Sequence, residues 1–203
     1  MKILHIDSSI LGDNSASRAL TAETIAHLKA AHPEAEITYH DLAAHPIPDL
    51  SAGHVAARFG AEVTDEAIQA DLARGNAHVE ELLAADIVVI GAPMYNFTVP
   101  VQLKNWIDRI AVAGKTFRYG ENGPEGLVPG GKKAVLISTR GGNYTPGTPA
   151  APMDHQEPYM TAVFSFIGLR DITWIRAEGL SRGAEARDAA MSAAKADIAA
   201  LTL

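Results

Sequence analysis

The chain of 203 residues contains no cysteine. That absence excludes disulfides, zinc-thiolate sites, iron-sulfur clusters and thiol redox chemistry, and it suits a reducing compartment. Any redox work therefore falls to a bound cofactor. Bases are also in deficit. With 17 Lys and Arg against 24 Asp and Glu, the formal net charge is -7, which disfavours nucleic acid or an anionic membrane as the main partner. An anionic ligand then needs donors arranged locally. No apolar run approaches the length of a membrane span, and one lysine before a short mixed run is not a secretory leader. The expectation is a soluble, cytoplasmic protein. The 8 histidines are scattered without metal-ligand spacing, so no metal site is expected. No serine is framed as Gly-x-Ser-x-Gly, so a hydrolase triad has no local support. There is no internal repeat, linker or low-complexity tract.

What is present is an alternation of short β-branched runs and longer helical patterns. A chain of this length makes one domain, residues 1–203, burying roughly 70% of the surface its unfolded form exposes. Residues 2–6 read as a first strand, and residues 17–30 as a helix with Leu20, Thr24, Ile25 and Leu28 on one stripe. Residues 35–40 alternate Ile37 and Tyr39 with polar neighbours, as a half-covered edge strand does. Residues 41–60 read as surface loop with a short helix near Val55. A long helix follows from an N-cap at Thr64, through Ile68, Leu72, Val79, Leu82 and Leu83. It leads to residues 86–90, a nearly continuous β-branched run typical of a strand covered on both faces. Residues 101–113 form the next helix, with Pro100 at its entry. Residues 116–119, a turn over 121–126, and residues 127–128 suggest a hairpin. Strands at 133–138 and 171–176 and helices at 154–167 and 183–201 complete the chain. The fold class is α/β: a flavodoxin-like doubly wound, five-stranded parallel sheet in order 2-1-3-4-5 with helices on both faces.

In that order the loops after strands 1 and 3 open where the winding reverses, the place such sheets bind ligands; flavodoxin's FMN is the stock example of the rule. The loop from Ser9 to Ser17 supplies hydroxyls just before a helix start, where free N–H groups and the positive dipole end attract a phosphate dianion. Ser15, Ala16 and Ser17 also suit a plain helix cap, so this loop alone leaves both roles open. It lacks the endings of an ATP loop or a dinucleotide fingerprint. Asp7 resembles a receiver-domain phosphoacceptor, but no cluster of acids lies near it in sequence. After strand 3 come Met94, Tyr95, Asn96 and Phe97, a thioether and two aromatics suited either to a flat ring or to the core. After strand 4, Thr139, Arg140, Gly141 and Gly142 offer a close backbone approach or an ordinary turn. Arg140 leaves three outcomes open: a phosphate partner, a carboxylate partner or none. Together the loops suggest a phosphate cradle, a ring wall and a glycine platform, the parts needed for flavin mononucleotide.

The ordered string Ser8-Ser9-Ile10-Leu11, Ser15-Ala16-Ser17, Ala92-Pro93-Met94-Tyr95-Asn96-Phe97, Gln102-Leu103-Lys104-Asn105, Phe117-Arg118-Tyr119, Asn122-Gly123-Pro124-Glu125-Gly126 and Arg140-Gly141-Gly142 resembles the bacterial FMN-dependent NADH-azoreductases, also described as FMN-dependent NADH:quinone oxidoreductases. The likeness spans essentially the whole chain. It implies a homodimer with one FMN per subunit and an active site at the subunit interface. It implies that Ser9 and Ser15 to Ser17 surround the phosphate and ribityl end, that Met94 to Phe97 follow the ring, and that Thr139 to Gly142 lie on its other side. It further implies ping-pong, two-electron transfer from NADH or NADPH to small aromatic acceptors, quinones and azo compounds. The cofactor carries the difficult step, so no side chain is assigned as a catalytic acid or base. Tyr119 is a candidate for shaping the substrate pocket. The rival expectation is a flavodoxin-type electron carrier without NAD(P)H turnover.

Overall fold

The computed structural model describes residues 1–202. Five strands, β1 (Lys2–Asp7), β2 (Glu36–Asp41), β3 (Ile87–Pro93), β6 (Lys133–Thr139) and β7 (Asp171–Ala177), form one sheet in the order β2-β1-β3-β6-β7. Every neighbouring pair is parallel. Counted within the sheet this is 2-1-3-4-5, the expected order. Two further strands, β4 (Phe117–Gly120) and β5 (Gly123–Gly126), form a separate antiparallel hairpin. The helices are α1 (Ala16–Ala31), α2 (Ala52–Arg58), α3 (Glu66–Ala84), α4 (Val101–Ile110), α5 (Glu157–Ile167) and α6 (Ala184–Ala199).

Because successive side chains on a strand point to opposite faces, each central strand feeds two cores. Val88 and Ile90 of β3 and Leu136 of β6 pack with Leu103, Trp106, Met160 and Phe164 of α4 and α5. Ile87, Val89, Val135 and Ile137 pack with Leu20 and Leu28 of α1 and Ile198 of α6. All seven residues of β3 are buried, which explains why its sequence is a continuous apolar run rather than an alternation.

Several local expectations shift. The cap of α3 is Asp65, whose carboxylate accepts the N–H groups of Ala67 and Ile68. Its buried stripe is Asp71, Gly75, His78, Val79 and Leu82. Strand β2 is an edge strand, but Ile37 and Tyr39 are exposed, at 37% and 50%. The second hairpin strand is Gly123–Gly126 rather than residues 127–128. Residues 42–60 are more than surface loop, since Leu42, Ile47 and His54 are buried. The reason is a buried ionic knot. Arg109 of α4 donates to Asp71 at 2.5 and 2.8 Å, His54 of α2 meets the same carboxylate oxygen at 2.9 Å, and Arg109 also donates to the Pro48 carbonyl at 2.7 Å. Asn105 adds a bond to the Ile47 carbonyl at 2.9 Å.

The hairpin is held against the end of α5. That helix closes on Gly168 at φ +101°, with Leu169 N–H returning to the Phe164 carbonyl, the left-handed cap that glycine allows. A Cβ on Gly126 would collide with the Gly168 backbone, so both glycines are needed for the approach. Among the described residues, no helix is long and apolar enough to cross a membrane.

Candidate functional site

Three loops leaving the C-terminal ends of β1, β3 and β6 meet in one cleft of about 260 Å³. From the expected set it takes Ser9, Ser15, Ala16, Met94, Tyr95, Thr139, Arg140 and Gly141. Ser17, Asn96, Phe97 and Gly142 belong to the same loops without lining it. The remaining lining includes Asn14, Ser181 of the turn after β7, and Arg187 near the start of α6. Neither Ser181 nor Arg187 carries a local motif; only the docking of α6 beside α1 brings them there.

The first loop makes one 3-10 turn over Gly12–Asn14 and then enters α1 at Ser15. The Ser15 hydroxyl accepts the Arg18 N–H at 3.3 Å and lies 3.0 Å from the Ser17 hydroxyl. The next two N–H groups of the helix, on Ala16 and Ser17, have no acceptor among the described residues. They are the usual unsatisfied donors of a helix start, reinforced by the helix dipole, and Ala16 itself lines the cleft. Ser8 anchors the loop below by donating to the Gly91 carbonyl at 2.7 Å.

Arg18, in the first turn of α1, is engaged elsewhere. Its guanidinium donates to both oxygens of Asp41 at 2.6 Å and to the Ser9 carbonyl at 2.8 Å. The Arg18 hydrogen bonds hold the Asp41 carboxyl down to about 2, and Asp41 in turn raises Arg18. This residue therefore shapes the loop. Asp7 is engaged as well. It accepts from Thr21 at 2.8 Å and Tyr39 at 3.1 Å, with His5 at 3.4 Å. Burial pushes its carboxyl up, but these partners outweigh it and leave it below the ordinary value. Burial, with the Asp7 charge, pushes Tyr39 up to about 12. An Asp7 so fully bonded has no free oxygen for phosphorylation.

The second loop is a tight turn. Tyr95 and Thr98 exchange backbone bonds at 2.9 and 3.2 Å around Asn96 and Phe97, whose φ angles are +45° and +75°. These are the two non-glycine residues with positive φ among the described residues, and for a bulky aromatic that conformation is strained. The turn is pinned on both sides. Met94 N–H bonds the Thr139 carbonyl at 2.8 Å, His155 N–H bonds the Phe97 carbonyl at 2.9 Å, and the Tyr95 hydroxyl lies 3.3 Å from both the Ser9 hydroxyl and the Ile10 nitrogen. Tyr95 thus closes the cleft from the first loop to the second.

In the third loop the Arg140 guanidinium is 2% exposed and faces carboxylates: Asp154 at 3.0 Å, Glu178 at 3.2 Å and Glu157 at 2.6 Å. The Glu157 approach is a close ion contact without hydrogen-bond alignment, while Nε donates to Ser138 at 2.8 Å. Of the outcomes left open for Arg140, a carboxylate partner is the one found. Through the bonds of Glu178 to Tyr144 and Thr145, this knot also holds the start of the segment 143–152, to which the sequence assigned no role. The backbone of Gly141 and Gly142 is tied to residues 179–181, and a Cβ on Gly141 would stand 2.7 Å from the Ser181 hydroxyl. Tyr119 does not reach the cleft and is 77% exposed.

A parallel sheet with a helix N-terminus and paired glycines at its switch point defines a flavodoxin-like class of protein, and the chain belongs to the family described as having the flavodoxin-like fold, whose model matches residues 1–201. Within it, the chain is 54% identical to the FMN-dependent NADH:quinone oxidoreductase of Rhizobium meliloti (strain 1021), over 98% of this chain and 96% of the relative. It is also 54% identical to FMN-dependent NADH:quinone oxidoreductase 2 of Xanthomonas euvesicatoria pv. vesicatoria (strain 85-10), over 98% and 92%. Among solved structures it is similar to the FMN-dependent NADH-azoreductase from Bacillus anthracis str. Ames Ancestor in complex with FMN. That match has a TM-score of 0.86 at 25% identity, covering 97% of each chain.

Proposed function

We propose that this protein is an FMN-dependent NADH:quinone oxidoreductase that also cleaves aromatic azo compounds, acting in the cytoplasm as a homodimer. The observation that carries the reading is a helix start whose N–H groups on Ala16 and Ser17 have no acceptor among the described residues, with Ala16 lining a cleft built by all three expected loops. The donor set suits FMN: hydroxyls and helix N–H groups for the phosphate, Met94 and Tyr95 for the ring, and a glycine where a Cβ would meet Ser181. Relatives of closely similar length named as NADH:quinone oxidoreductases favour turnover over the electron-carrier alternative.

When bound, FMN supplies the two-electron redox chemistry. The chain's own part is to bind and orient. Ser9, Ser15, Ala16 and Ser17 hold the anionic tail, Met94, Tyr95, Asn96 and Phe97 border the ring, and Thr139 to Gly142 line its opposite side. The backbone N–H groups of Asn96 and Phe97, bonded to nothing among the described residues, are available to polar ring atoms. Donors held rigid by the pinned turn favour negative charge developing beside them. The homodimer is supported by apolar side chains left open on the loops around the cleft: Ile10, Leu11, Phe97 and Val101 are 42–59% exposed.

The test is anaerobic stopped-flow mixing of FMN-loaded protein with NADH or NADPH, followed by a quinone or an azo dye. Bleaching of the flavin band by the nicotinamide and its recovery on adding acceptor are expected. A flavin that stays oxidised in the presence of both nucleotides points to the carrier instead. Sedimentation velocity reads the dimer independently.

A further inference from the structure

Away from the cleft, three ligating side chains converge where sequence spacing shows no cluster. His78 and Glu81 stand one turn apart on α3, and His40 sits near the end of the edge strand β2. His40 Nε2 is 2.7 Å from Glu81 Oε2, and His78 Nδ1 is 3.3 Å from the same oxygen. All three ligand atoms lie within 4.8 Å of one another. Two zinc-ligand bonds of about 2.05 Å at the tetrahedral angle place ligand atoms about 3.3 Å apart. One observed spacing, 3.3 Å, matches that value and the other, 2.7 Å, is 0.6 Å shorter, with the third pair inside 4.8 Å, so modest side-chain rotations suffice to seat one ion.

We propose that His40, His78 and Glu81 form a binding site for one divalent transition-metal ion of the zinc class, clamping the edge strand β2 to α3. The two imidazoles and one carboxylate are a donor set that suits zinc and its neighbours rather than magnesium or calcium. The site opens into a cavity of about 510 Å³ that His45 also lines, which gives the ion an entry path and leaves its fourth position to water or to that imidazole. Arg74 lines the same cavity, but its guanidinium is drawn toward Asp71 at 3.7 Å. The two imidazoles already meet edge to face, with centroids 4.7 Å apart. An ion there would brace a strand whose outward residues are otherwise bare, since four of the six residues of β2 are exposed. The site is separate from the flavin cleft: none of the three residues lines it.

The experiment is calorimetric titration of chelator-treated, FMN-loaded protein with Zn²⁺, repeated with Mg²⁺, alongside thermal melting. One Zn²⁺ per chain is expected, with Mg²⁺ silent. At a hundredfold excess over Kd the melting temperature should rise by about 5–10 °C. His40→Gln and Glu81→Gln should each weaken Zn²⁺ binding at least tenfold while retaining the parent's far-ultraviolet circular dichroism, which shows that the fold is intact. Absence of Zn²⁺ binding, or binding in both variants as strong as in the parent, overturns the proposal. The latter result places the ion at other histidines. Because the readout is metal binding and melting, it is independent of whether the flavin reading holds.

Discussion

Ser15 does two things that different substitutions separate. Its hydroxyl caps α1 by accepting the Arg18 N–H, and with Ser17 at 3.0 Å it stands beside the open N–H groups proposed to receive the FMN phosphate. Replacing a serine cap by alanine removes about 1 kcal/mol, whereas glycine loses only a few tenths. For a domain of this size each kcal/mol moves the melting temperature by roughly 2–4 °C. Ser15→Ala should therefore melt about 2–4 °C lower as apoprotein, and Ser15→Gly should fall within about 1 °C of the parent. Both variants lose the same hydrogen bond to a charged group, worth about 1.5–3 kcal/mol, so both should bind FMN roughly 10- to 150-fold more weakly. Riboflavin, which has no phosphate, should bind all three proteins alike. Flavin-fluorescence titration of apoprotein measures each affinity, and differential scanning calorimetry measures the melts. A Ser15→Gly protein that binds FMN within twofold of the parent would refute the phosphate assignment. So would equal losses for FMN and riboflavin.

Three other outcomes follow from the geometry. Asp41 is held at about 2 by Arg18 against an ordinary value of 3.8, a folded value below the unfolded one, so its contribution is complete above about pH 4 and is lost as pH falls toward 2. After screening it amounts to about 1–2 kcal/mol, and Asp41→Asn should flatten acid unfolding in that window, read by circular dichroism. Asp71→Asn leaves the buried Arg109 without its anion and should destabilise the fold by about 3–5 kcal/mol, measured by urea unfolding; a loss below 1 kcal/mol would count against the ionic knot as the anchor of residues 42–58. Phe97→Gly relieves a positive φ and should hold or raise the melting temperature by a few degrees despite losing an aromatic ring. The same change should raise the acceptor KM; a lower melting temperature would mean that the turn is unstrained.

How much was legible depended on distance along the chain. The central strand β3 announced itself because a strand buried on both faces is apolar at every position, a property already written in residues 87–90 of the seven that the strand spans. The three loops were legible because each follows its strand directly, and a parallel sheet places such loops at one end. Edge strand β2 was recognised, yet its alternation suggested a covered face that the chain leaves open. The hairpin was placed, but its register was not, since the glycine-proline strand has no β-propensity and is held by the fit of Gly126 against Gly168.

Local order along the chain thus carried the fold class, the sheet order and the three loops that make the cleft, because hydrophobic period and turn chemistry act over a few residues. The folded structure alone decided how the charges were used. Arg18 turned to Asp41, 23 residues away, and Arg140 faced three carboxylates rather than a phosphate. Arg109 met Asp71 across 38 residues, and His40 came to Glu81 across 41. A long, flexible side chain can serve any partner within its reach, and which partner is within reach is set only when helices and strands pack.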